Sequence, residues 1–77
     1  MATVTVRLGE DVVQRFEADD FLVWPGQLRL YRDLNAEVQE LVVSFALEDV
    51  TGVVVAGDWN GHGQAALPAR ISFQHVE

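Results

Sequence analysis

Phe21-Leu22-Val23-Trp24-Pro25-Gly26-Gln27-Leu28-Arg29-Leu30 has the pattern of a β-hairpin, and the rest of the chain falls into place around it. Proline holds φ at about −65° in the first central position of a type II turn, and glycine accepts the positive φ of the second, so Pro25-Gly26 is the strongest turn signal present. The strand after it, Gln27 to Leu34, sets Leu28, Leu30 and Leu34 on one face and Arg29, Tyr31 and Asp33 on the other. Arg32 interrupts the apolar face near the strand's end, which marks a bulge or the edge of the core.

Upstream of the hairpin, Thr3 to Leu8 alternates with Val4, Val6 and Leu8 together and Thr3, Thr5 and Arg7 opposite. Gly9-Glu10-Asp11 turns the chain into a half-solvated strand, Val12 to Ala18, which Asp19-Asp20 ends. Downstream, Glu37 to Leu47 is the longest alternating run, with Leu41, Val43, Phe45 and Leu47 on its inward face. Residues 48–52 turn again, Val53 to Ala56 is apolar on both faces and reads as a doubly covered strand, and Ala69 to Val76 closes the chain after an irregular segment from Gly57 to Pro68.

Six or seven short strands joined mainly by tight turns describe an all-β, single-domain antiparallel meander over residues 1–77, closed as a barrel or folded over as a compact sandwich. In strand count it resembles small SH3-like, Sm-like and PH-like barrels, a likeness of size that carries no function. The expected core is Phe16, Leu41, Val43, Phe45, Val54, Ile71 and Phe73. Successive turns of a meander lie at alternating ends, so one end is expected to carry Glu10, Asp11, Trp24, Glu48 and Asp49. The other collects Asp19, Asp20, Asp33, Asn35, Glu37, Asp58, Trp59, Asn60 and His62.

Composition narrows the function. The 77 residues hold five Arg, no Lys and twelve acids, a net charge of −7 with the histidines neutral. Phosphate counterions are replaced by cations, so this balance argues against nucleic-acid binding, and its charge density is modest for a nucleic-acid mimic. A chain this short buries only about 60% of its unfolded surface and has no room for a large cofactor. Cysteine is absent, which removes disulfides, thiolate chemistry and Cys-type zinc sites. No leader-like N-terminus and no apolar run approaching the ~20 residues of a membrane span are present, so a cytoplasmic location is expected. Lack of Lys, with one Ile and two Asn, points to a GC-rich bacterial genome.

Catalytic arrangements are not visible. Ser44 and Ser72 lie mid-strand outside any nucleophile elbow, and the paired acids Glu10-Asp11, Asp19-Asp20 and Glu48-Asp49 are sequence neighbours rather than groups opposed across a substrate. The segment Gly57-Asp58-Trp59-Asn60-Gly61-His62-Gly63 is the most unusual stretch. Asp58, Asn60 and His62 alternate like the first ligands of a calcium loop, but Ala69 occupies the twelfth position, where such a loop needs a bidentate Glu. No cofactor and no resident metal are expected. Trp24 and Trp59 both stand at turns, where large rigid aromatics can anchor an interface. The reading that results is a non-catalytic protein-interaction or assembly module with an acidic surface, expected to self-associate or bind a protein, through Trp24, Asp58, Trp59, Asn60 and His62. The second reading is a small-ligand or metal-binding domain that uses the loop from Asp58 to His62.

Overall fold

The computed structural model describes residues 1–59 and 63–77. Its strands are β1 (Ala2–Leu8), β2 (Val12–Ala18), β3 (Asp20–Trp24), β4 (Gln27–Asp33), β5 (Gln39–Ala46), β6 (Val50–Gly57) and β7 (Ser72–Val76), with short 3-10 turns at Leu47–Asp49 and Gln64–Ala66. They form a four-stranded sheet in the order β2-β1-β6-β7 and a three-stranded sheet in the order β3-β4-β5. No ladder joins the two, so the all-β domain is a sandwich rather than a closed barrel. No helix among the described residues is long and apolar enough to cross a membrane.

Local chemistry explains the corners. Trp24 pairs with Gln27 across Pro25-Gly26, and Gly26 has a φ of 79°, as the second central position of a type II turn requires. At Asp19 the chain passes from one sheet to the other. The Asp19 amide donates to the Tyr31 carbonyl and its carboxylate accepts from the Asp33 amide, both at 2.8 Å, while the Asp20 carboxylate accepts from the Phe21 amide. These acids therefore do turn chemistry. The sorting of loops by end holds where it can be measured: Asp19 meets Asp33 at one end, and the Gly9 amide donates to the Asp49 carbonyl at the other.

Between the sheets, Val4, Val6, Val53 and Val55 from the four-stranded side meet Phe21, Leu28 and Leu30 from the three-stranded side, with Val50 also fully buried. Of the expected core, Ile71 is buried, and Phe16, Val43, Phe45 and Phe73 are half-buried against this cluster. Phe16 meets Phe45 edge-on at 5.8 Å between ring centres. Two expectations fail. Leu41 is 50% exposed, because the register between β4 and β5 slips: Leu30 pairs with Val43 but Tyr31 with Leu41, leaving Val42 as an extra residue. One extra residue reverses the faces beyond it, so Val42 turns toward the core and Leu41 away from it. Val54 is only half-buried, since β6 is central in its sheet yet covered on one face alone.

Connectivity also departs from a meander. After β5, the turn at Leu47–Asp49 carries the chain across to the other sheet, where β6 lies antiparallel to β1. Arg70 fastens this turn, its guanidinium donating to the Leu47 and Val50 carbonyls at 2.7 and 2.8 Å. β7 then pairs with β6 in parallel, Gly52 opposite Ser72 through Ala56 opposite Val76, so the sheet is mixed rather than wholly antiparallel. Parallel neighbours need a return crossover. Gly57 lies five residues beyond Gly52, about 17 Å along the strand. A two-residue turn reaches at most about 11 Å. Topology thus requires a crossover between β6 and β7 that is longer than a tight turn.

Candidate functional site

Among the described residues, nothing packs on the outer face of β3-β4-β5. Three cross-strand rows build it: Leu22 with Arg29 and Ser44, Trp24 with Gln27 and Ala46, and Asp20 with Tyr31 and Leu41. Leu22, Trp24 and Leu41 are 37%, 49% and 50% exposed. The Arg29 guanidinium carbon stands 5.4 Å from the centre of the Trp24 ring, and Arg29 Nε donates to Gln27 Oε1 at 2.9 Å. A cation over an exposed indole is attracted by about 0.5 to 1 kcal/mol, enough to bias the ring toward one pose without burying it. Trp, Tyr and Arg, the residues enriched at the centres of interfaces, share this uncovered face with two leucines. Trp24 was legible as a candidate. Leu41 joins it only because of the bulge, for which Arg32 was the indirect signal: Arg32 turns into an ion pair with Glu40, at 3.9 Å, where the register has slipped.

Opposite, the outer face of the four-stranded sheet holds a shallow groove of about 690 Å³ lined by Thr5, Arg7, Arg15, Val54, Ser72 and Gln74. A Cβ at Gly52 in its floor would come within 2.8 Å of Ser72 Oγ. Glu10 stands at the rim.

The loop residues separate. Trp59 is half-buried and stacks on Phe21, with ring centres 5.5 Å apart and planes 25° from parallel. Phe21 also meets Phe73 at 6.0 Å. Gly63 is buried against the same residue, where a Cβ would come within 2.5 Å of the Phe21 carbonyl oxygen and 2.6 Å of its ring. Two points of the crossover therefore clamp Phe21, and Trp59 seals the core end. Its indole Nε1 is buried and finds no acceptor among the described residues. Asp58 is exposed and shares a hollow of about 430 Å³ with His75 and Glu77. His75 Nε2 lies 2.9 Å from the Gly57 carbonyl oxygen and donates to it in the tautomer protonated there. Asn60 and His62 lie outside the described residues. Among those described, no three His, Asp or Glu side chains gather around a common point where a metal ion could sit.

Comparison of the chain with protein-family models, curated proteins and solved structures finds no match.

Proposed function

We propose that this chain is a non-catalytic protein-interaction module that docks its partner on the outer face of β3-β4-β5, with Trp24 as the anchor. One observation carries the reading: three exposed apolar side chains, Leu22, Trp24 and Leu41, share an uncovered sheet face with Tyr31 and an Arg29 that stands over the indole. Large aromatics with Arg dominate binding energy where they can be desolvated. The net charge of −7 favours a partner with a basic surface and speeds its approach at low salt.

The test is site-specific photo-cross-linking in the native host, with a benzophenone amino acid in place of Leu22 or Leu41 and, as control, in place of Gln74 on the opposite face. A discrete protein adduct at 22 and 41 that is missing at 74 supports the docking face. Adducts of equal yield at all three positions, or at none, refute it.

A further inference from the structure

We infer that a second copy of this chain pairs antiparallel with the free edge of β2, about a two-fold axis at Phe16 that sets Arg15 of each copy against Glu17 of the partner subunit. This surface is separate from the outer face of β3-β4-β5, and the pairing stands whether or not that face binds protein.

Four strands border the two sheets. β3 and β7 have five residues each, and β5 is broken by the slip at Val42. Short and bulged edges are poor templates for another strand. β2 differs: its seven residues pair with β1 in one unbroken register, from Leu8 opposite Val12 to Ala2 opposite Ala18. Among the described residues its backbone forms no hydrogen bond outside that ladder. It contains no proline and no bulge. A continuous row of unpaired amides and carbonyls is a ready partner for an identical row.

Charge selects the register. To keep both inner faces on one side, the axis must pass through a residue of β2. An axis at Arg15 opposes two arginines, one at Glu17 opposes two glutamates, and one at Ala18 sets Glu17 against Asp19 of the partner subunit. At Gln14 no charged pair forms, and at Val13 only three residues of each strand meet. With the axis at Phe16, residues 14–18 pair fully and two opposite-charge pairs form. Neither Arg15 nor Glu17 has an ion-pair partner among the described residues, so both are available. The same axis brings Phe16 opposite Phe16 of the partner subunit, extending an aromatic side chain that already leans on Phe45. Repulsion between two chains of net charge −7 is screened beyond about 8 Å at physiological salt, whereas the paired groups are closer than that.

Sedimentation equilibrium of the full chain at physiological salt tests the pairing. The parent is expected to dimerise reversibly. Arg15→Glu alone and Glu17→Arg alone each replace two attractive pairs by two repulsive ones and should raise the dissociation constant on the order of tenfold. An equimolar mixture of the two variants should associate as a heterodimer at least as tightly as the parent, because every pair is again opposite in sign. Both sites are exposed, and thermal melts of each variant verify folding. A monomeric parent up to about 1 mM, well above micromolar association, refutes the inference. So does a dimer indifferent to either substitution, or a mixture no tighter than the single variants.

Discussion

Replacing Trp59 by alanine should destabilise the domain by about 2 to 4 kcal/mol. Truncating a fully buried tryptophan costs about 3 to 5 kcal/mol. Trp59 is half-buried, which roughly halves that, and its stacked contact with Phe21 at 5.5 Å adds about 0.5 to 1.5 kcal/mol. A 77-residue domain has about 4 to 12 kcal/mol in total, so the loss is a large part of it. At about 4 to 8 °C per kcal/mol for this size, the melting temperature should fall by about 8 to 32 °C. Far-ultraviolet dichroism reads the transition without depending on the removed indole. Trp24→Ala is the internal standard: Trp24 touches Arg29 on an open face, and its loss should stay within about 1 kcal/mol. If Trp59→Ala melts within about 2 °C of the parent, or no lower than Trp24→Ala, then Trp59 does not close the core and the structural account of the crossover is wrong.

Phe21→Ala should be the most damaging single truncation, at about 3 to 5 kcal/mol, and should exceed Phe45→Ala, because Phe21 is fully buried between the sheets and Phe45 only half; urea melts of the two variants give the order directly. Gly63→Ala should cost about 1 to 3 kcal/mol, since the added methyl meets the Phe21 carbonyl and ring and the backbone oxygen cannot rotate aside. An alanine variant as stable as the parent in thermal melts would show that the crossover does not approach Phe21 so closely. Replacing residues 58–66 by a Gly-Asn turn should lower the melting temperature by more than Trp59→Ala does, because it removes both Trp59 and Gly63 from Phe21; an unchanged melt would show that the crossover does not close the core over Phe21.

Strand positions and turns were legible because they depend on nearest neighbours. The alternation of β1, the bounds of β2, the Pro25-Gly26 turn and the structural use of Asp19 and Asp20 all follow from residues within a few positions of one another. Even the bulge left a trace, as an arginine on an otherwise apolar face. Its consequence for Leu41 did not: the slip is a property of two strands paired, and alternation along one strand cannot reveal which residue is skipped on the other.

Pairing partners are a second matter that local pattern cannot reach. Val50–Gly57 is equally apolar whether its neighbours are β5 and a hairpin partner or, as found, β1 and a parallel β7. Choosing the latter made the irregular segment after Gly57 a crossover between parallel strands, and so brought Trp59, a candidate anchor, onto Phe21. The same choice left β2 at an edge and the outer face of β3-β4-β5 bare. Backbone propensity and side-chain alternation are encoded residue by residue; which edges stay open and which aromatics are covered depends on contacts between segments far apart in the chain, and those exist only once the two sheets have closed on each other.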